Sequence, residues 1–225
     1  MRVVAVVPMK LNNERLANKN TKKFSNGKPL CSYILKTLSR VKNIDETFVF
    51  CSDERIKEYI NENVTFLKRN RNLDTNKTTM NDILNSFVSK IDADVYVLAH
   101  TTAPFVSVKS FEECIKKVTN DNFDSAFSVK RVKEFLWKGS RPLNYELTNI
   151  PRTQDLPLIY SETCGFYIFK KEVLVNSNRR IGNNPFLYEI DNIETIDIDD
   201  EFDFKIADYL TTLYEKNEYI EIKPL

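Results

Sequence analysis

Arg2-Val3-Val4-Ala5-Val6-Val7-Pro8 is an apolar run closed by a proline, with no polar alternation inside it. A half-exposed strand alternates, whereas a strand covered on both faces reads as a continuous Val/Ala run, the signature of a parallel sheet. Further runs of this kind follow at 46–52 (Thr47-Phe48-Val49-Phe50-Cys51), 64–68, 94–99 (Val95-Tyr96-Val97-Leu98) and 125–132. Helical stripes lie between them. Pro29 opens one through Val41, carrying Leu30, Tyr33, Ile34, Leu35 and Leu38. Proline is pre-set for a first helical turn. Others span 54–61, 81–91 and 107–120. Strands alternating with helices predict an α/β fold with a doubly wound, mostly parallel sheet.

The pattern changes near residue 131. Phe135-Leu136-Trp137 and Asn144-Tyr145-Glu146-Leu147 flank Gly139-Ser140 and Pro142, predicting a hairpin arm. Pro151 to Pro157 reads as a stiff extended loop, because each proline also restricts the residue before it. Gly165–Lys170 and Glu194–Asp197 are expected as core strands, and Asp200–Lys216 as a closing amphipathic helix. The 225 residues suit a single domain over 1–225 with an arm insertion at about 131–164.

Thirty-three Lys and Arg against 32 Asp and Glu leave a net charge of +1. This argues against nucleic-acid binding through bulk charge. The cysteines, Cys31, Cys51, Cys114 and Cys164, have neither metal spacing nor a paired framework and read as buried free thiols of a reducing compartment. No apolar run has signal-peptide or membrane-span length, so a cytoplasmic protein with no membrane partner is expected.

Four polar segments carry candidate chemistry. The first follows the opening strand: Pro8-Met9-Lys10-Leu11-Asn12-Asn13-Glu14-Arg15-Leu16-Ala17-Asn18-Lys19-Asn20. Open α/β sheets bind ligands at the C-terminal ends of their strands. Spaced cations there suit a polyphosphate, and a solvated basic loop is the alternative. Met9 reads as packing beside this loop. The second segment is Ile196-Asp197-Ile198-Asp199-Asp200-Glu201-Phe202-Asp203-Phe204. Asp197 and Asp199 share one side of an extended chain and suit Mg²⁺, which takes oxygen ligands and bridges phosphates. Asp200, Glu201 and Asp203 suit the start of the following helix. The third is His100-Thr101-Thr102-Ala103-Pro104 after the central strand, where hydroxyls can meet a ligand. His100 is the single histidine, and a packed residue is the competing reading. In the fourth, Arg152 can fork an acidic acceptor, and Gln154 both donates and accepts. Lys22 and Lys23 read as solvated, and the pair Arg179-Arg180 as either anion-facing or superficial.

Taken in chain order, the segments resemble the cytidylyltransferases that make CMP-sugars, the acylneuraminate (CMP-sialic acid) synthetases and their CMP-Kdo relatives. Pro8-x-Lys10 and Lys19-Asn20 are similar to the family's Pro-x-Arg and Gly-Lys-Asn loop. Thr102-Ala103-Pro104 is similar to its Thr-Ser-Pro turn, Arg152 to Pro157 to its Arg-x-Gln-Asp-x-Pro, and Ile196 to Phe204 to its Ile-Asp-x-Asp-x-x-x-Asp-Phe. The chain departs by a lysine for the first arginine, by Leu11-Asn12-Asn13 for Gly-Gly-Ser, and by His100 for a glutamine. The resemblance implies a Rossmann-like domain whose protruding arm forms a homodimer. It implies CTP and a small acidic acceptor as partners and Mg²⁺ as cofactor. Lys10, Arg15 and Lys19 would be catalytic. Pro8, Met9, Lys10, Asn20, Thr78 and Thr79 would lie at the nucleotide. His100, Thr101, Thr102, Arg152, Gln154 and Glu162 would lie at the acceptor, and Asp197 and Asp199 at the metal. The rival expectations are a phosphonate-activating cytidylyltransferase, a glycosyltransferase, which would show Asp-x-Asp after a central strand, and a non-catalytic nucleotide-binding protein.

Overall fold

The computed structural model describes residues 1–12 and 15–215. Asn13 and Glu14 of the basic loop, and Lys216 at the end of the expected last helix, lie outside the described residues.

Seven strands form one sheet: β1 (Val3–Met9), β2 (Glu46–Cys51), β3 (Thr65–Lys68), β4 (Val95–Ala99), β5 (Ser125–Arg131), β8 (Tyr160–Lys170) and β9 (Pro185–Glu189), ordered β3-β2-β1-β4-β8-β5-β9. β1 runs parallel to β2 and β4, β2 to β3, and β5 to β9, while β8 lies antiparallel between β4 and β5. The sheet is therefore mostly parallel, as the apolar runs predict. From β1 the chain builds outward to β2 and β3, then returns to place β4 on the other side of β1. That reversal opens a crevice beyond the C-terminal ends of β1 and β4.

Side chains alternate between the faces of β1. Val3, Ala5, Val7 and Met9 pack under α1 (Leu30–Leu38) and α3 (Val108–Asn120). Val4 and Val6 pack under α2 (Met80–Val88) and α4 (Lys171–Ser177). Both faces are covered, which explains the missing polar alternation. A third apolar cluster joins Leu16, Phe24, Leu30, Ile198, Phe204 and Ala207. It ties the basic loop and the aspartate segment to α5 (Glu201–Glu215). Burying a Leu or Ile contributes about 1.5–3 kcal/mol, so Leu16 and Ile198 supply much of what brings these two distant segments together.

Several expectations are corrected. Glu194–Asp197 is not a strand: a 3-10 turn spans Asn192–Thr195, and Glu194 is buried as acceptor for the Ser107 amide at 3.0 Å and the Ser110 hydroxyl at 2.6 Å. A carboxylate bound to another element's N-terminus takes the place of ladder pairing. The sheet's edge is β9 instead, and α4 follows β8 directly. β8 begins at Tyr160, five residues earlier than its apolar run, because its first half pairs with β5 beyond a bulge. Residues 54–59 form a 3-10 helix. The segment from Pro151 to Pro157 is interrupted by a 3-10 turn, Thr153–Asp155. Cys164 is exposed, whereas the other three cysteines are buried. It sits in the β8 bulge with φ 56°.

The arm is a hairpin as expected. β6 (Trp137–Lys138) pairs with β7 (Arg141–Pro142) across Gly139, whose φ of 62° suits a tight turn. Asn144 fastens its base, accepting from the Leu136 amide at 2.9 Å and donating to the Glu134 carbonyl at 3.0 Å.

Candidate active site

Two adjoining cavities occupy the crevice. The inner one, about 250 Å³, is lined by Pro8, Met9, Lys10, Arg69, Thr78 and His100 among others. The outer one, about 530 Å³, is lined by Lys10, Arg15, Lys19, Thr75, Thr78 and Asp199 among others. Lys10, Lys19, Thr75 and Thr78 line both. The buried Asn20 holds the walls together. Its side-chain amide donates to the Lys10 carbonyl at 2.7 Å and accepts from the Thr101 hydroxyl at 2.6 Å, fastening the basic loop to the ends of β1 and β4. Asn20 thus frames the site, and the Thr101 hydroxyl is spent on it rather than facing a ligand.

Opposite charges meet in the outer cavity. Asp199 lies 3.4 Å from the Arg15 guanidinium and 3.6 Å from the Lys19 ammonium. Lys19 also donates to the Ile198 carbonyl at 2.8 Å. Lys10 has no carboxylate partner within ion-pair distance among the described residues. Asp197 is half-buried, and the Ile198 amide donates to the Thr102 carbonyl at 2.8 Å, pinning this segment beside β4. Burial holds the Asp197 carboxyl above its ordinary pKa, and the neighbouring Asp199 charge adds to this against a hydrogen bond from Thr102. Two carboxylates whose repulsion a dication would relieve fit Mg²⁺, which takes one or two carboxylates and completes its shell with water and substrate phosphates. No group of three or more potential ligands forms a closed protein cage among the described residues.

The neighbouring acids serve the helix, as read. Asp200 accepts from the Phe202 and Asp203 amides, and Asp203 from the Asp199 and Asp200 amides. Lys22 is not simply solvated: it pairs with Glu201 and lies 4.6 Å from the Phe204 ring centre.

Other expected site residues separate. Thr78 faces the cavities, but Thr79 caps α2 in a reciprocal box with Asp82. Met9 packs with a face of the sheet and lines the inner cavity with Pro8. Arg152 and Gln154 are exposed and line neither cavity, and Arg152 is forked onto Asp155. Glu162 is exposed and accepts from the Tyr167 hydroxyl at 2.7 Å. One residue was hidden in the polar stretch after β3. Arg69 is buried, pairs with Asp74 at 2.6 Å, and its Nε has no hydrogen-bond partner among the described residues. No spacing marks this arginine; only the fold turns it into the inner cavity's wall.

His100 lines the inner cavity, with its ring edge-on to Tyr167 at 6.5 Å. Burial, and then the charges of Arg180 and Lys19, push its pKa down from 6.5 to about 4. The ring is neutral at physiological pH. Between pH 6.5 and about 4 the unfolded chain binds a proton that the folded chain refuses, so stability falls as pH drops through that window. His100→Gln should therefore lose less stability than the parent between about pH 7 and about pH 4.5, measured by urea midpoints. Equal losses would show that His100 titrates normally.

The sequence profile described as Cytidylyltransferase matches residues 4–221. The chain belongs to the cytidylyltransferase family. N-acylneuraminate cytidylyltransferase A of Danio rerio is 26% identical over 200 residues, covering 84% of this chain and 46% of that protein. N-acylneuraminate cytidylyltransferase of Oncorhynchus mykiss is 23% identical over 217 residues, covering 92% and 49%. This cytidylyltransferase chain thus spans about half the length of those relatives. Among solved structures, CMP:2-keto-3-deoxy-manno-octonic acid synthetase complexed with CTP superposes with a TM-score of 0.69 at 14% identity, covering 95% of this chain and 100% of that one. That likeness establishes the shared Rossmann-like fold.

Proposed function

We propose that this cytidylyltransferase joins CMP to an acidic sugar, of the sialic-acid or other 3-deoxy-ulosonic type, with release of pyrophosphate. The observation that carries the reading is the meeting of Arg15 and Lys19 with Asp199 in one crevice, beside Lys10, which has no carboxylate partner among the described residues. An acceptor hydroxyl oxygen attacks the α-phosphorus of CTP. The bond from that phosphorus to the bridging oxygen breaks, pyrophosphate leaves with the electron pair, and the hydroxyl proton is released. Such chemistry rests on alignment and charge neutralisation more than on covalent help from the protein.

In this reading Lys10 stabilises the charge gathering at the α-phosphate. Arg15 and Lys19 exchange Asp199 for the β- and γ-phosphates. Asp197 and Asp199 would hold Mg²⁺, which when bound neutralises phosphate charge. Pro8, Met9, Thr78 and Asn20 shape the nucleotide side, with Arg69 in the inner cavity's wall. His100, Thr102 and Glu162 border the acceptor side. The exposed apolar side chains Trp137, Leu143, Leu147, Ile150 and Leu158 on or beside the arm support a homodimer through it, since association would take them out of water. The three buried free thiols and the use of CTP support a cytoplasmic setting.

The test is pyrophosphate release from CTP and Mg²⁺ with sialic acid, Kdo and a small phosphonate supplied separately. Release with an acidic sugar is expected. Release with the phosphonate alone would reassign the acceptor, and release with none of them would overturn the reading.

A further inference from the structure

The loop after α4 is held at nearly every residue. Asn178 ends the helix in a left-handed turn and accepts from the side chains of Asn81 and Asn85 on α2, each at 2.7 Å. Arg179 donates to the Asn183 side chain at 2.8 Å. Ile181 packs against the core under α2 and α4. The Gly182 amide donates to the Ser125 hydroxyl at 2.8 Å, and one Asp124 oxygen accepts from the Asn183 and Asn184 amides at 2.7 and 2.9 Å. Only glycine fits at 182, because a Cβ there would lie 2.2 Å from the Asp124 carboxylate. The remaining residue is Arg180. Its half-buried guanidinium lies 4.2 Å over the Tyr167 ring and makes no hydrogen bond or ion pair among the described residues.

Tyr167 is itself fixed. Its ring stacks on Phe127 at 6.0 Å, and its hydroxyl donates to Glu162. The ring also meets His100 edge-on at 6.5 Å, on the wall of the inner cavity. A guanidinium stacked on an anchored aromatic ring, with its donors open, is a ready-made fork for a carboxylate. The neutral His100 beside it adds no competing charge and can donate or accept one hydrogen bond. Arg152, the arginine that the sequence suggests for this task, is committed to Asp155.

We propose that Arg180 binds the carboxylate of the acidic acceptor, presented on Tyr167 by the loop that Asp124 clamps and distinguishing acidic from uncharged acceptors. This rests on the reading of the chain as an acidic-sugar cytidylyltransferase. A site built around a charged hydrogen bond rejects the analogue lacking that group strongly.

The experiment uses the acidic sugar that gives the fastest pyrophosphate release, together with its methyl ester, on the parent chain and on Arg180→Gln, Arg180→Lys and Arg180→Ala. Arg180→Gln and Arg180→Ala should raise the KM for the acid by about 100-fold, Arg180→Lys by about 10-fold. The KM for CTP should stay within about twofold, and the preference for acid over ester should vanish. An unchanged KM for the acid overturns the proposal and leaves the function standing. So does an equal loss on acid and ester, or a matching rise for CTP, which would reveal a merely structural role. If the parent chain releases pyrophosphate with no acidic sugar, the functional reading itself fails and this inference falls with it.

Discussion

Lys10→Ala should lower kcat by about 10²- to 10³-fold while leaving the KM for CTP within about threefold. The asymmetry follows from where the charges are committed. Arg15 and Lys19 already neutralise Asp199, so a triphosphate entering the crevice inherits a prearranged pair of cations for its outer phosphates. Lys10 differs from them in its commitments: it lines both cavities with its backbone fixed by Asn20 and no described carboxylate beside its ammonium. A charge that is free before the reaction acts most strongly where new negative charge appears, which is at the α-phosphate in the transition state. Lys10→Arg should recover part of the rate, since the charge is retained with altered reach. Steady-state kinetics of pyrophosphate release reads both variants. Equal losses in kcat and in CTP affinity would remove Lys10 from transition-state stabilisation.

Asp199→Asn should be comparably severe for a different reason. Loss of a carboxylate that holds a catalytic dication removes several kcal/mol of charge stabilisation, or about 10²- to 10³-fold in rate. The fold should survive. The Asp199 side chain is half in solvent, its cation pairs are long, and its backbone amide remains bound to Asp203. Exposed ion pairs of this kind contribute only about 0–1 kcal/mol to stability. A Mg²⁺ titration separates the possibilities: the variant should require far more Mg²⁺ for any residual rate, with an unchanged thermal midpoint. A variant that turns over normally at ordinary Mg²⁺ would exclude Asp199 from the metal site. Removing Mg²⁺ from the parent with a chelator should reproduce the loss.

The parts of this site that can be read in the sequence are those whose chemistry is written as local pattern. Lys10, Arg15 and Lys19 follow a recognisable buried strand, and Asp197 and Asp199 stand two apart before a helix whose caps announce themselves. β1, β2 and β4 are equally legible, because a strand covered on both faces must be apolar throughout. Strand direction is not legible. The run at 165–170 is as apolar as its neighbours, and nothing in it says that β8 enters the sheet antiparallel or that its polar first half pairs with β5. Glu194 misleads because a buried carboxylate belongs to no strand pattern; its partners, Ser107 and Ser110, lie more than eighty residues away. Arg69 and Arg180 are ordinary arginines in polar stretches. What singles them out is an unsatisfied donor in one case and an uncommitted guanidinium on an anchored ring in the other. Both depend on contacts between strands and loops distant in sequence. Arg152 shows the reverse: its local motif is clear, yet the structure turns it away from both cavities and onto Asp155.

Transfer of the α-phosphate of CTP to the acceptor is the step that every residue role above serves. It is tested most directly by incubating the protein with CTP labelled at the α-phosphorus, Mg²⁺ and an acidic sugar, then separating the products. The label should move into a CMP-linked sugar, with unlabelled pyrophosphate formed in equal amount. Label left in CTP, or released as free CMP or CDP with no sugar attached, would contradict it.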